Sequence, residues 1–320
     1  MKILITGGTG FLGSHLARRL AAGGHAVTVL RRASSKTHAL EDVNIRHEIG
    51  DVGDAPSVRH AAGGQDVVIH AAAGYTGSGA RPESFEINVA GTRSVVDACL
   101  GARVKRLVHV SSIAAIGVPQ DGTPANEDFV FNLGRSKLYY HISKHRAEAV
   151  VREGAARGLD AVIVNPGSLW GPFGDAYRGD DIVRTVRGAR RVRVWPGGVC
   201  IAHVDDVAGG IVSAMERGAP GGRYILGGDN LTYREWMTKI AAALGVRPRF
   251  VPFPGIAIEL LAMALGPMAS IHPRFHGLYL RAYFAGRRTF YDSSKAAKEL
   301  GYSPRSFDAI LDECVRVLRS

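Results

Sequence analysis

Along the first half of the chain, short runs of β-branched and aliphatic residues alternate with longer stretches whose apolar positions recur every three to four residues. Lys2–Thr6, Ala26–Leu30, Ile45–Ile49, Val67–His70, Leu107–Ser111 and Ala161–Asn165 read as strands. Between them Leu12–Ala22, Phe85–Gly101 and Tyr139–Arg157 read as helices. Strand alternating with helix predicts an α/β fold with a parallel sheet covered on both faces, and near-continuous apolar strands suit that burial.

After Asn165 the pattern loosens. Gly, Pro and Arg are frequent through Gly198, which suggests a less regular segment lining a site. A short strand recurs at Tyr224–Leu226, and helical patterns follow at Tyr233–Leu244 and Ser306–Leu318. The expected division is a sheet domain over residues 1–167, to which the chain returns near 198–228. A smaller cap would be built from 168–197 and 229–320.

The most apolar stretch, Gly255–Ile271, is interrupted by Glu259, Gly266 and Pro267. A membrane span needs roughly 20 nearly uncharged residues, so this is expected to be a core or substrate-cavity helix, with peripheral membrane contact left open. The N-terminus lacks the cationic region, apolar run and cleavage site of a signal peptide, and cytoplasm is the simplest address. With 320 residues, 46% hydrophobic and 22% charged, the chain is expected to fold as a globular protein, monomer or homodimer, around an ample core.

Charge and cysteines change this picture little. The formal net charge is +11, yet the densest basic cluster, Arg184, Arg187, Arg190, Arg191 and Arg193, has no interleaved aromatic residue, so nucleic acid is not an expected partner. It reads as a solvated face, or as attraction for an anionic cofactor or substrate. Cys99, Cys200 and Cys314 are odd in number and far apart, and indicate neither a disulfide framework nor a metal site.

Candidate chemistry begins at Thr6-Gly7-Gly8-Thr9-Gly10-Phe11-Leu12-Gly13, between the first strand and the first helix. Glycines at this spacing permit a tight turn and bring backbone amides to a pyrophosphate at the helix N-terminus, so a dinucleotide is expected. NAD sites usually end the second strand in Asp or Glu; this chain has Arg31 and Arg32. Two guanidiniums would bind a 2′-phosphate, so NADP(H) is favoured, with NAD(H) as the alternative. Asp51 could accept from the adenine amino group or cap a helix, while Val52 packs on the ring. Ala71, Ala72 and Ala73 end the fourth strand in small residues, as a backbone lying close to a cofactor requires.

Tyr140 and Lys144, four apart, share a helical face. A phenol with pKa near 10 moves protons poorly at neutral pH unless a cation stabilises its phenolate. Lys144 can be that cation and can also hold the nicotinamide ribose. Neighbouring decoys fail, since Lys137 would pair with Leu133, and Tyr139 with Ser143. Ser111 and Ser112 end the fifth strand, where a hydroxyl can donate to a substrate carbonyl.

The chain resembles the extended short-chain dehydrogenase/reductases, in the NAD-dependent epimerase/dehydratase branch, over nearly its whole length. Besides the glycine turn, the resemblance rests on GDVGD (Gly50–Asp54), Asn88 in INVAGT, VSS (Val110–Ser112), SKHRAE (Ser143–Glu148), NPGSLWGP (Asn165–Pro172), HVDDVA (His203–Ala208), YILGG (Tyr224–Gly228) and DSSKAAKELGYSP (Asp292–Pro304). It implies a Rossmann-type doubly wound parallel sheet with a smaller mixed C-terminal substrate-binding cap. It further implies Tyr140 as acid/base, Lys144 as its modulator, Ser112 rather than Ser111 as the carbonyl-orienting hydroxyl, and a structural His203. Gly7, Gly10, Phe11, Leu12, Gly13, Asn88, Pro166 and Ser168 would border the cofactor.

Within this branch the chain looks like the dihydroflavonol-4-reductase-like group and the hopanoid-associated epimerase-like proteins. Two features favour a reductase over a sugar-nucleotide epimerase or dehydratase. Arg31 and Arg32 replace the NAD-type carboxylate, and Val199-Cys200-Ile201-Ala202 lacks the arginine that sugar-nucleotide enzymes commonly carry just before HVxD. The expected substrate is a small apolar or aromatic ketone, bound near Phe250, Phe253, Phe275, Tyr279, Tyr283 and Phe284 unless these only pack the cap. A cofactor-sensing protein without turnover is the third reading; such proteins usually lose the Tyr–Lys pair.

Overall fold

The computed structural model describes residues 1–74, 83–173, 176–269 and 272–318. The first half consists of strands β1 (Lys2–Thr6), β2 (Ala26–Arg31), β3 (Arg46–Ile49), β4 (Val67–His70), β5 (Arg106–Val110) and β6 (Ala161–Pro166). Helices α1 (Phe11–Ala22), α2 (Ala55–Ala62), α3 (Glu83–Gly101) and α4 (Tyr139–Ala156) alternate with them. Then come β7 (Ser168–Phe173), β8 (Ala176–Arg178), α5 (Asp180–Gly188), β9 (Arg191–Val194), β10 (Gly198–His203), α6 (Val204–Arg217) and β11 (Arg223–Leu226). The last part comprises β12 (Asp229–Thr232), α7 (Tyr233–Leu244), β13 (Arg249–Pro252), α8 (Gly255–Met268), α9 (Pro273–Ala285), β14 (Arg288–Thr289), α10 (Ser294–Leu300) and α11 (Phe307–Val317).

Seven strands form one parallel sheet in the order β11-β6-β5-β4-β1-β2-β3. The strand order reverses between β1 and β4, which opens a crevice at their carboxyl ends. Along β1 the side chains alternate between two cores. Ile3 and Ile5 join Leu16, Val29, Ile69, Val108 and Ile211 on the face covered by α1 and α6. Leu4 joins Val68, Val95, Leu107, Val151 and Ile163 on the face covered by α2, α3 and α4. Burial on both faces is why the middles of the central strands are aliphatic, as in Ile3-Leu4-Ile5 and Val67-Val68-Ile69, whereas the edge strand β3 is Arg46-His47-Glu48-Ile49 with no buried position.

A second sheet, β12-β10-β7-β8 with β14 beside β10, packs with α5, α7 and α11 around Trp170, Tyr177, Ile240, Phe307 and Leu311. Strand β9 pairs with β13 separately. Sequence pattern alone did not separate β7, β10 and β12 from loop. They are four to six residues long and carry Gly, Pro or polar residues, as in Ser168-Leu169-Trp170-Gly171-Pro172-Phe173, so no period of two stands out. Expected helix boundaries hold to within a residue or two. Ser306 caps α11 rather than beginning it, and Thr232 with Glu235 forms a reciprocal cap on α7.

Helix α8 fills most of the expected Gly255–Ile271 run; residues 270–271 lie outside the described residues, as do 319–320 of the expected cap. Only one side of α8, with Ile258, Ala262 and Leu265, is buried, so it is not a core helix on all sides. No helix among the described residues is long and apolar enough to cross a membrane. Cys99, Cys200 and Cys314 are buried and unbridged.

Ile211 of α6 is fully buried where this helix packs on α1 and the sheet. Truncating it leaves a void that the surrounding strands cannot fill. Ile211→Ala is expected to lower unfolding stability by about 2–5 kcal/mol with an unchanged urea m-value, measured by equilibrium denaturation.

Candidate functional site

The turn after β1 is shaped by close backbone approach. Gly7 has φ +75°, and a Cβ there would come within 2.6 Å of the Ala72 nitrogen. A Cβ on Gly13 would run into the carbonyl oxygen of Gly7. Gly10 caps α1 with no side chain, leaving the first amides of the helix to face the crevice. The residues present therefore suit a pyrophosphate. Phe11 turns aside onto Phe173, with Arg178 lying 5.3 Å over its ring, and half-buried Leu12 packs against the α1 side of the core.

A chain of hydrogen bonds fixes the end of β4 against this turn. The Ala72 amide donates to Thr6 Oγ1 at 3.3 Å, and that hydroxyl lies 2.7 Å from His70 Nδ1. On the other side His70 Nε2 lies 3.2 Å from Thr92 Oγ1, which donates to the Asn88 carbonyl at 2.7 Å. Since the Thr92 hydrogen is used on Asn88, His70 donates from Nε2 and accepts at Nδ1. Burial pushes its pKa down to about 3, so the ring is neutral and the tautomer is held. The Asn88 side chain accepts from the Gly74 amide at 2.6 Å and donates to Ser143 Oγ at 3.0 Å, tying the β4 exit to α4. Nothing in the sequence pattern pointed to this use of His70 and Thr92.

Gly7, Gly10, Arg31, Arg32, Asp51, Val52, Ala71, Ala72, Ala73 and Asn88 line one cleft of about 500 Å³. Arg31 has a buried Nε with no hydrogen-bond partner, and one of its terminal nitrogens reaches the Arg32 carbonyl. Such an orphaned donor at the rim suits an anionic group. Asp51 does not cap α2. That cap is Asp54, while Asp51 Oδ1 accepts from the Gly53 amide within the turn. Val52 packs against Gly91 of α3.

Helix α4 carries Tyr140 in its first turn and Lys144 one turn later. Lys144 is buried, and its Nζ donates to the carbonyl of Val110 at the end of β5 at 3.0 Å. Burial lowers its pKa to about 8, against the pull of Glu148 one further turn along. Glu148 is wholly buried. Ser111 Oγ and Asn165 Nδ2 donate to its Oε1, both at 2.7 Å, while Arg223 and Arg152 reach Oε2 at 2.8 and 2.9 Å. Asn165 Nδ2 also donates to the Ser112 carbonyl at 2.8 Å. Ser111 is thus committed to this network, whereas Ser112 is half-buried and its Oγ accepts from the Ala114 amide at 3.2 Å. Sequence reasoning missed this cluster, whose one visible signal was an acidic residue four positions after Lys144, on the same buried stripe of α4 as Ala147 and Val151.

A second cavity, of about 900 Å³, begins at Tyr140 and runs between α4, α7, α8 and α9. Its walls include Leu138, Trp195, Met237, Ile258, Leu265 and Phe284, and Arg281 is the single formally charged residue among them. His141, not singled out from sequence, also lines it. Burial pushes its pKa down to about 4, its ring stacks on Phe284 at 5.2 Å, and its Nδ1 has no partner. Of the aromatics expected here only Phe284 lines the wall. Phe275, Tyr279 and Tyr283 pack the α8–α9 core, Phe250 joins the α7 cluster, and Phe253 stacks on Trp195.

The remaining positions flank these two spaces. Pro166 is buried at the end of β6 and half-buried Ser168 begins β7. His203 is buried and caps α6, accepting from the Asp205 amide at 3.2 Å, with its Nε2 3.3 Å from Glu313. All five arginines from Arg184 to Arg193 face solvent.

Comparison with known proteins agrees with this geometry. Residues 3–227 match the NAD dependent epimerase/dehydratase family. Sterol demethylase protein B of Methylococcus capsulatus is 32% identical over 329 residues, covering all of this chain and 98% of that protein. A dihydroflavonol 4-reductase assigned in Synechocystis is also 32% identical, covering 97% of this chain and 92% of its own. The crystal structure of gox2253 superimposes with a TM-score of 0.86 at 33% identity, over 99% of this chain and 97% of that one. The chain therefore belongs to the NAD-dependent epimerase/dehydratase family, as an NAD(P)-dependent oxidoreductase of the extended short-chain dehydrogenase/reductase type.

Proposed function

We propose that the chain is an NADPH-dependent reductase acting on a carbonyl of a small apolar substrate. The observation that carries this reading is the apolar cavity of about 900 Å³ that opens against Tyr140. Residues 1–167, with the returning segment near 198–228, would hold the cofactor, and 168–197 with 229–320 the substrate. The pyrophosphate would lie on the Gly7–Gly13 turn, with Phe11 and Leu12 contributing backbone amides. Arg31 and Arg32 would face the 2′-phosphate, Asp51 and Val52 the adenine, and Ala71–Ala73, Asn88, Pro166 and Ser168 the ribose and nicotinamide. When bound, the nicotinamide supplies a hydride.

The chain's own residues do the rest. Ser112 donates to the substrate carbonyl and orients it, a role supported by the commitment of Ser111 to Glu148. Tyr140 gives its phenolic proton to the carbonyl oxygen as negative charge develops there. The Lys144 ammonium stabilises the phenolate left behind and, through its remaining donors, the ribose hydroxyls. Apolar walls exclude water from the reacting carbonyl.

A sugar-nucleotide epimerase or dehydratase would use the same three residues, and the family match keeps that reading in play. Against it, Cys200, Ile201 and Ala202 before His203 are buried and uncharged, and the Arg184–Arg193 cluster faces solvent rather than the cavity. One relative is named for sterol demethylation and another as a dihydroflavonol 4-reductase; the first supports an apolar substrate and the second net reduction. Thermal-shift screening with NADP present tests the choice, because a ligand stabilises the fold it binds. Hydrophobic ketones or alcohols should raise Tm; a rise with UDP- or dTDP-sugars alone would restore the epimerase.

For the cofactor, NADPH is expected to bind at least about tenfold more tightly than NADH, through paired guanidiniums. Arg31→Asp with Arg32→Asn should reverse the preference in calorimetry.

Tyr140→Phe removes the phenolic hydroxyl, and with it the moving proton, while keeping the ring. It should abolish kcat while leaving NADPH affinity nearly unchanged, and retention of more than about a tenth of kcat contradicts the assignment.

Lys144 has a pH signature of its own. Its value in the fold, about 8, lies below the usual 10.5, so the folded chain binds fewer protons than the unfolded chain between these limits. Stability from this group is therefore lowest below pH 8 and recovers as pH rises toward 10.5. Losing the Val110 hydrogen bond and the pairing with Glu148 adds a pH-independent offset, so the signature is the slope: the Tm of cofactor-free Lys144→Met relative to wild type should fall as pH rises from about 7 to about 10. Scanning calorimetry that finds a constant difference across this range would contradict a buried ammonium.

A further inference from the structure

Helix α8 is apolar on every side, and this chain covers only one of them. Ile258, Ala262 and Leu265 point inward. Ile256, Leu260 and Met263, spaced to form one stripe along the opposite side, are 66%, 56% and 64% exposed. Glu259, at the edge of the stripe, is the only charged residue in the helix. A helix apolar all round belongs in an interior or in contact with lipid. Helix α9 packs along α8, and its outward side presents Arg274, Leu278 and Arg281 at positions i, i+4 and i+7. Leu261, Leu278 and Arg281 both line the large cavity and are exposed, so the patch continues into the cavity's rim.

We propose that the outer face of the α8–α9 pair docks on a membrane leaflet containing anionic lipid and sets the cavity mouth against the acyl chains. An apolar stripe flanked by arginines is the composition of a helix lying in the interface. Arg274 and Arg281 complement anionic headgroups, with Glu259 as the one opposing charge on the two helices. A second copy of the chain fits less well, since symmetric pairing on this patch brings four arginines together with two carboxylates. The arrangement lets an apolar ligand pass from lipid to the cavity without crossing water. It does not depend on which carbonyl is reduced, or on whether any is.

The test uses the full chain and sucrose-loaded vesicles of phosphatidylcholine, alone or with about a third phosphatidylglycerol. The protein should sediment with the anionic vesicles at low salt. Arg274→Ser with Arg281→Ser should lower the partition coefficient by about an order of magnitude. Ile256→Ser with Leu260→Ser and Met263→Ser should abolish sedimentation while leaving NADPH affinity unchanged and lowering the thermal midpoint by no more than a few degrees, because these side chains are mostly exposed and line neither cavity. Three results would overturn the proposal: no sedimentation with either vesicle; a triple variant that sediments like the wild type, which would assign binding to basic residues elsewhere; or a dimer by light scattering that the triple substitution dissociates, without vesicle binding.

Discussion

Two opposite charges buried one turn apart on α4 constrain everything around them. Lys144 must reach the crevice from inside the protein, and taking an ammonium out of water is expensive unless an anion is near. Glu148 supplies that anion, and it in turn needs partners. It finds them on three neighbouring strands and on its own helix: Ser111 after β5, Asn165 in β6, Arg223 in β11 and Arg152. Fixing the carboxylate therefore fixes the ends of β5 and β6, including the carbonyl of Ser112, to which Asn165 donates. Breaking one buried partner of such a cluster typically costs about 3–5 kcal/mol, so the site's geometry and the fold's stability are coupled through the same carboxylate.

A second constraint acts across the switch in strand order. Gly7 and Ala72 approach too closely for any side chain on Gly7, and the neutral His70 holds the β4 exit in place through Thr6 and Thr92. Asn88 carries this arrangement to Ser143 and hence to the first turn of α4, which bears Tyr140. The cofactor cleft and the Tyr140 helix are thus linked by one hydrogen-bonded path. A glycine turn alone would make an anion site; linked to α4, it is held in register with Tyr140 and Lys144.

These couplings explain what could be read from sequence. The central sheet was legible because strands buried on both faces carry runs such as Ile3-Leu4-Ile5 and Val67-Val68-Ile69, which leave little ambiguity. Glycine spacing, the Tyr140–Lys144 interval and the strand-end serines were legible because each is local. The Glu148 cluster and the His70 path were not, since they join residues dozens of positions apart whose types are unremarkable singly. The cap's short strands were hidden by their length and by Gly and Pro. The aromatic roll from Phe250 to Phe284 misled in detail: bulky residues at helical spacing pack helices together as readily as they line a cavity, and only Phe284 does the latter.

The glycine turn and the Tyr140–Lys144 helix belong to the part of the chain that carries the large sheet, so on the proposed reading what distinguishes one substrate from another is the cap. Here the cavity that Tyr140 lines is walled from the cap side by Met237, Leu265 and Phe284, and its one formally charged wall residue, Arg281, stands at the rim. A diphosphate needs several charged donors at close range to replace the water it loses, and although Tyr, His and Trp side chains lie in this wall, only Arg281 carries a formal charge. A hydrophobic ligand gains roughly 25 cal/mol for each Å² it removes from water, which is enough to bind it well in a space of this size with a single oriented carbonyl. The chain's surplus of arginine does not argue otherwise, because the five residues from Arg184 to Arg193 lie on α5, β9 and the turn between them, pointing to solvent while Val183, Val186, Val192 and Val194 fill the core beneath. Charge on the outside and apolarity around Tyr140 are, in this molecule, separate designs, and on the proposed reading the second one selects the substrate.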